Sequence, residues 1–125
     1  TFRETVLMHA VARLALHPVI PNIQTSWVKL GVKGAAACLN AGANDLGGTL
    51  MNESISRAAG ASHGQEFSPT GMATFIQDLG RTPRHRTTLY GNAPAERREA
   101  AGLAAPLTEM VQTPANKFAH GEAAE

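Results

Sequence analysis

Two polar side chains interrupt an apolar stretch near the middle of the chain, and their chemistry suits ligand binding. Asn44 and Asp45 follow an Ala-rich run and precede Gly47 and Gly48 in the sequence ANDLGG. A carboxamide donates and accepts hydrogen bonds and a carboxylate accepts them, so the pair matches an N–H-rich heterocycle or a polyol. The glycines would let a ligand approach the backbone closely. Asx residues also form turns and helix caps, which is the alternative interpretation of this pair.

Three further polar side chains precede this pair, and one histidine follows it. Gln24, Ser26 and Lys29 lie in the sequence NIQTSWVKL, whose residue types predict a strand. His63, in the loop sequence GASHG, can act as a general acid, a general base or a ligand donor, and a surface loop histidine is an equally good interpretation. Because Cys38 is the one cysteine, the chain can form neither an intrachain disulfide nor a cysteine metal cluster of its own.

The elements that must position these residues alternate along the chain. We predict strands at 22–30, 43–51 and 84–91, helices at 1–16, 31–42 and 68–80, a short helix or turn at 52–60, and one helical piece of the tail at 95–104. Helices that separate successive strands favour a parallel sheet, in which ligands bind at the carboxyl ends of the strands. Three strands are too few for a closed (β/α) barrel, which needs about 250 residues. The sequence therefore predicts an α/β fold that is either a small sheet or part of something larger.

Composition excludes several classes of function. Hydrophobic residues make up 43% and charged residues 17% of the 125 residues, which is ordinary for an α/β protein. A net charge of +1 gives no electrostatic reason to expect nucleic-acid binding, and no apolar run approaches the roughly 20 residues of a membrane span. Charged residues interrupt the first apolar run, which is therefore not a signal peptide. We expect a cytoplasmic location.

Longer blocks of the sequence resemble a known enzyme family. The segments IPNIQTSWVKLG, GANDLGGTLMNESISRAAGASHG and GRTPRHRTTLYG resemble three consecutive blocks of the FO synthase family. More narrowly, they resemble its tyrosine-ligating half, a radical S-adenosylmethionine enzyme of deazaflavin biosynthesis. The segment ETVLMHAVARLALH resembles the helix before the first block, so the resemblance covers residues 3–91.

The resemblance implies a fold, a reaction and a set of cofactors. Family members are (β/α) barrels of the radical SAM type, so residues 1–91 are expected to form the last βα units, a partial barrel, and 92–125 a weakly packed tail. The parent enzyme is expected to join the hydroxybenzyl part of tyrosine to 5-amino-6-(D-ribitylamino)uracil. A [4Fe-4S] cluster would generate the required radical from S-adenosylmethionine. The product is then converted to the deazaflavin chromophore of coenzyme F(420).

The matched blocks also imply roles for individual residues. The expected S-adenosylmethionine contacts, which match a strand ending near that cofactor, are Gln24, Ser26 and Lys29. Asn44 and Asp45 match a block that faces the uracil or the tyrosine, so both are expected substrate contacts. His63 lies inside a matching block and is grouped with these substrate contacts. The resemblance names no catalytic residue and no metal ligand in this chain.

The sequence departs from the family pattern at one decisive point. The cluster-binding motif CxxxCxxC is absent, because Cys38 is the one cysteine. We therefore expect this chain to be inactive alone and to need the rest of the enzyme polypeptide, or a partner subunit. Unpaired strand edges would also favour self-association.

Three alternatives stay open. The menaquinone-pathway radical SAM enzymes carry similar strand blocks, but with a second acidic residue where this chain has Gly47, which favours the deazaflavin family. A non-catalytic α/β binding module would keep the pocket without the cluster. A purely structural fragment would bind no ligand at all.

Overall fold

The structure of the chain, a computed structural model, describes residues 1–50, 52–61 and 63–107, with Arg57 described by its backbone alone. The helices in these residues are α1 (Phe2–Leu16), α2 (Trp27–Asn40), α3 (Ile55–Ala58), α4 (Pro69–Asp78) and α5 (Ala95–Gly102). Extended pairing in the same residues consists of a parallel bridge between Gln24 and Asp45 and an antiparallel bridge between Arg86 and Asn92. The chain is therefore a helix-rich α/β segment with very little strand.

The predicted strand at 22–30 is wrong beyond Ser26, because α2 begins at Trp27. The buried residues of α2 are Trp27 in its first turn and, at helical spacing after Gly31, Gly34, Ala35, Cys38 and Leu39. The helix predicted from residue 31 starts four residues too late. The helix is interrupted at Gly31, whose φ of 67° and ψ of 173° are not helical. Residues 27–30 therefore form a separate first turn of α2, and Lys29 lies on this turn rather than on a strand.

The predicted strands at 43–51 and 84–91 are each reduced to one bridging residue, because a tight turn follows each bridge. After Asp45, the backbone turns at Gly47, which has a φ of 78°. After Arg86, residues 87–91 form a turn in which the Thr87 amide donates to the Gly91 carbonyl at 2.9 Å. Extended structure cannot continue through either turn.

The helix predictions at 1–16 and 68–80 are confirmed to within two residues. α1 begins with a capping box, in which the Thr1 hydroxyl accepts from the Glu4 amide at 3.3 Å. α4 begins at Pro69 behind Ser68, whose hydroxyl accepts from the Gly71 amide at 3.1 Å. The sequence predicts both helix starts because a cap is a local interaction between residues three positions apart.

The chain divides into two compact units. The described parts of the first unit are 1–48, 53–61 and 63–65, and those of the second are 49–50, 52 and 66–107. The apolar core lies in the first unit and consists of Ile23, Trp27, Ala35, Cys38, Leu39, Ala43 and Leu46. In the described residues of the second unit no side chain is fully buried.

α1 packs on α2 with one side and leaves apolar residues exposed on the other. The Phe2 ring lies 3.5 Å from the position that a Cβ at Gly34 would occupy, which is an ordinary van der Waals distance, whereas Leu30 Cβ lies 2.8 Å from it, so the absence of a side chain at Gly34 makes room for Leu30 within α2. On the opposite side, Leu7, Val11 and Leu14 recur at helical spacing and are exposed. In the residues that the structure describes, no helix is both long enough and apolar enough to cross a membrane.

The domain division predicted at residues 91 and 92 stays a prediction. A helix does form at Ala95–Gly102, where the sequence predicts a helical piece at 95–104. The tail residues 108–125 lie outside the described residues.

Candidate functional site

A parallel pairing brings the first two predicted site segments together. The Thr25 amide donates to the Asp45 carbonyl at 2.8 Å, and the Asn44 amide donates to the Ile23 carbonyl at 3.0 Å. α2 connects these two segments, so the unit is a βαβ crossover reduced to its shortest strands. Gln24 and Asp45 therefore lie side by side at the carboxyl ends of adjacent parallel segments, where α/β proteins bind their ligands.

The two glycines after Asp45 serve different purposes. One Asp45 carboxylate oxygen, Oδ1, accepts from the Gly47 amide at 2.8 Å, which fixes a turn directly after the bridge. A Cβ at Gly47 would collide with the side-chain nitrogen of Gln24, so this glycine makes room for a protein side chain. Among the residues that the structure describes, none would lie within 4 Å of a Cβ at Gly48, and the Gly48 carbonyl accepts from Trp27 Nε1 at 3.1 Å. The open space beside this site lies at Gly48.

Both polar atoms of the Asn44 side chain form hydrogen bonds with the protein. Its Oδ1 accepts from Arg13 Nη2 at 2.7 Å and from the Ile23 amide at 2.8 Å. Its Nδ2 donates to the Pro21 carbonyl and to Asn22 Oδ1, each at 3.3 Å. The carboxamide thus holds the segment before the bridge in place, which agrees with the structural interpretation of an Asx residue.

Arg13 is an important residue of this region that the sequence analysis did not single out. Its Nε donates to the Gly42 carbonyl at 2.7 Å, and its Nη1 donates to the Pro21 carbonyl at 2.8 Å. Together with the bond to Asn44, its guanidinium joins α1 to the segments on both sides of the crossover. The one local signal is a basic residue in the last turn of α1, which is common in helices and identifies no partner.

The remaining predicted residues lie along the first turn of α2. Ser26 is the residue before this helix, and its side chain makes no capping hydrogen bond. Lys29 Nζ donates to Ser56 Oγ at 3.1 Å, and Ser56 is buried. The exposed His63 places its ring against Gly31, 3.3 Å from the position that a Cβ there would occupy. The structure therefore pairs Gln24 with Asp45, whereas Lys29 contacts Ser56 and His63 contacts Gly31.

The residues of this chain do not fit an iron–sulfur cluster. Within the described residues no three His, Cys, Asp or Glu side chains are grouped so that they could hold a metal ion. Cys38 is fully buried in the core of the first unit. A [4Fe-4S] cluster requires several thiolates, and the whole chain contains one cysteine.

The fold and this site define an α/β segment with a parallel crossover and polar side chains at its strand ends. The family model described as the CofH/MqnC C-terminal region matches residues 1–98. The chain therefore belongs to the CofH/MqnC C-terminal region family, which confirms the resemblance stated from the sequence.

Relatives with established names agree with this family. FO synthase of Streptomyces coelicolor is 56% identical over 101 residues, which are 81% of this chain and 12% of that protein. The 5-amino-6-(D-ribitylamino)uracil–L-tyrosine 4-hydroxyphenyl transferase of Methanopyrus kandleri is 62% identical over 85 residues, which are 68% of this chain and 23% of that protein. The protein of the same name from Archaeoglobus fulgidus is 53% identical over 87 residues, 70% of this chain and 25% of that protein. The chain thus spans a quarter or less of these relatives. No solved structure matches it significantly.

Proposed function

We propose that the chain forms the C-terminal part of the tyrosine-ligating machinery of an FO synthase-type enzyme. The reaction would join the hydroxybenzyl part of tyrosine to 5-amino-6-(D-ribitylamino)uracil by radical SAM chemistry. The observation that carries the proposal is the 62% identity to a transferase named for these two substrates, over 68% of this chain. The relatives named above are FO synthases and tyrosine transferases, so the menaquinone-pathway alternative is not favoured.

We propose further that the chain is the last part of a radical SAM-type (β/α) barrel. A parallel bridge between segments joined by a helix is the connection on which such barrels are built. The exposed apolar side of α1, with Leu7, Val11 and Leu14, supports the presence of further protein against it. We propose that this protein is the rest of the enzyme rather than a second copy of this chain.

Within the site, Asp45 is the substrate contact that the geometry supports best. Asp45 lies at the end of a parallel segment, at the turn that leads to Gly48, and a carboxylate suits the N–H groups of an aminouracil. A substrate that bound Asn44 would have to displace its bonds to Arg13 and other groups, so we assign Asn44 the support of Asp45. His63 stays a proposed substrate contact on the α2 side.

The proposed S-adenosylmethionine contacts remain Gln24, Ser26 and Lys29. Gln24 is supported by its position beside Asp45, and Lys29 by its exposed position on the first turn of α2. The ligands of a [4Fe-4S] cluster would have to come from another part of the enzyme, because this chain does not fit the cluster. The single cysteine and the biosynthetic class of the relatives support a cytoplasmic location for the enzyme.

Titration of the purified chain with 5-amino-6-(D-ribitylamino)uracil tests the proposal. We expect saturable NMR shifts at the backbone amides of Asp45 and Gly47, and loss of those shifts in Asp45→Asn. Asparagine keeps an oxygen for the Gly47 amide, so the turn should survive the change. Asp78→Asn, at an exposed position near the end of α4, is the matched control and should bind like the unmodified chain.

The competing classes of protein give different results in the same experiment. An absence of saturable shifts would favour a structural fragment without a ligand and would contradict the proposed site. Activity is measured separately, with reductant, S-adenosylmethionine, tyrosine and the uracil. We expect no product from this chain alone, and product formation without another polypeptide would show that it is not merely a part of the enzyme.

A further inference from the structure

One segment of the first unit, which follows α2 in the chain, contacts residues 28–31 at the start of α2 in three places. Its described residues are 53–61 and 63–65. Ser56 accepts a hydrogen bond from Lys29, and the ring of His63 lies against Gly31. At the third contact, a Cβ at Gly64 would lie 2.7 Å from the Val28 carbonyl oxygen, so the two backbones are in direct contact. The segment therefore lies across the turn that carries one proposed cofactor contact, and it carries one proposed substrate contact itself.

Gly31 determines where the His63 ring can lie. Its φ of 67° is a conformation that glycine adopts without penalty and other residues rarely adopt. A Cβ at this position would lie 3.3 Å from His63 Cδ2 and 3.5 Å from Cγ, closer than ordinary van der Waals contact at the first atom. The exposed ring therefore packs on a bare backbone surface that any other residue would fill.

Ser56 restrains Lys29 in a comparable way. A lysine side chain on a helix surface samples many rotamers, and ordering it costs conformational entropy. The hydroxyl that receives Lys29 Nζ is buried, and its backbone is itself fixed. The Glu53 carboxylate accepts from the amides of Ile55 and Ser56 at 2.9 and 3.1 Å, which caps α3. The ammonium group is thus held at a fixed point on the Ser56 hydroxyl.

We propose that Gly31 and Ser56 are positioning residues, which fix the His63 ring and the Lys29 ammonium group so that they can bind the uracil substrate and its neighbouring cofactor. The inference rests on the proposed function, because it takes the ligands of His63 and Lys29 from there. It adds two residues for which neither the sequence pattern nor the family resemblance indicates a role. Neither residue needs to touch the ligand.

The first test separates contact with His63 from backbone strain. Gly31→Ala introduces both, whereas Gly80→Ala introduces strain alone, because Gly80 has a φ of 71° and a Cβ there would meet nothing within 4 Å. We expect Gly31→Ala to move the His63 ring resonances and to weaken binding of 5-amino-6-(D-ribitylamino)uracil about tenfold, a typical coupling between residues in contact. Gly80→Ala should do neither. In a His63→Ala background, the two glycine changes should have equal effects on binding.

The second test concerns Ser56 and does not depend on how well Gly31→Ala folds. Ser56→Ala removes the acceptor of Lys29, while Ser56→Thr keeps a hydroxyl and should restore binding. Ser54→Ala, at an exposed position two residues earlier, is the matched control. We expect Ser56→Ala to weaken uracil binding about fivefold and to broaden the Lys29 side-chain NMR signals.

The outcomes distinguish this inference from the proposed function. Saturable uracil binding that Gly31→Ala and Ser56→Ala leave unchanged would overturn the positioning role alone. His63 ring resonances that respond equally to the Gly31 and Gly80 changes would also overturn it. No binding by the unmodified chain would overturn the proposed function, and this inference with it.

Discussion

Arg13 Nη2 donates to Asn44 Oδ1 at 2.7 Å, and this bond joins residues 31 positions apart. It links the last turn of α1 to the segment that pairs with residues 23–25. The same Asn44 oxygen accepts from the Ile23 amide, so one acceptor ties together three parts of the crossover. Asn44 and Asp45 therefore have different roles. Asn44 stabilises the packing of the crossover, and Asp45 accepts the hydrogen bond that closes the turn before Gly48.

Replacing Arg13 should destabilise the first unit. Arg13→Met keeps much of the side-chain length but removes donors to Gly42, Pro21 and Asn44. We expect the free energy of unfolding in urea to fall by about 2 kcal/mol, since hydrogen bonds from charged groups contribute about 1.5–3 kcal/mol and this site is partly exposed. Arg3→Met, at an exposed position of α1, should leave the urea midpoint unchanged. Equal midpoints for the two variants would contradict the structural role of Arg13.

The two glycines of the DLGG sequence should respond differently to the same substitution. Gly47→Ala introduces a side chain at a φ of 78° and against Gln24, and it should cost about 1–2 kcal/mol or more of unfolding free energy. Gly48→Ala places its methyl group in open space and should change stability by less than about 0.5 kcal/mol. Urea denaturation of both variants measures the difference. A larger loss for Gly48→Ala would show that the space beside it is not open.

Two leucines distinguish the core from the exposed side of α1. Leu39 is 4% exposed, so Leu39→Ala should cost about 2–5 kcal/mol through lost burial and an unfilled cavity. Leu14 is 84% exposed, so Leu14→Ala should change the unfolding free energy of this chain by about 0.5 kcal/mol or less. Thermal or urea unfolding of the two variants tests this contrast. A large loss at Leu14 would mean that the chain already covers this side of α1, for example by self-association.

In the second unit, the turn at 87–91 should depend on one hydroxyl. Thr87 Oγ1 accepts from the Gly91 amide at 3.0 Å, and the Tyr90 amide donates to the Thr87 carbonyl at the same distance. This turn holds Tyr90 at a φ of 62°, with its ring centroid 4.4 Å from the Arg86 guanidinium carbon. We expect Thr87→Val to cost about 1 kcal/mol and to increase amide hydrogen exchange at Gly91.

Thr88→Val is the matched control for this turn, because Thr88 is the exposed neighbour of Thr87 and undergoes the same chemical change. It should leave both the stability and the exchange rate at Gly91 unchanged. If the two valine variants exchange alike at Gly91, the Thr87 hydroxyl does not hold the turn.

Local sequence signals predicted the helices well and the strands poorly. The caps of α1 and α4 are interactions between neighbouring residues, so the residue types alone indicate where these helices begin. The sequence TSWVKL fits a strand and also fits the start of a helix after Ser26. The tertiary structure decided between them, because α2 begins at Trp27, whose side chain is buried in the core of the first unit.

The sequence by itself determined the family, the helical caps, the lack of cluster ligands and the polar pair at a strand end. The tertiary structure decided what each polar group does. Arg13 with Asn44, and Lys29 with Ser56, lie 31 and 27 positions apart along the chain. No local pattern encodes such partners, because the first bond forms only after α1 has packed on the crossover and the second only after α3 has packed near α2. For the same reason, the sequence gives no sign of what lies next to Gly47 or Gly31. The tertiary structure shows that the Gln24 side chain lies against Gly47 and the His63 ring against Gly31.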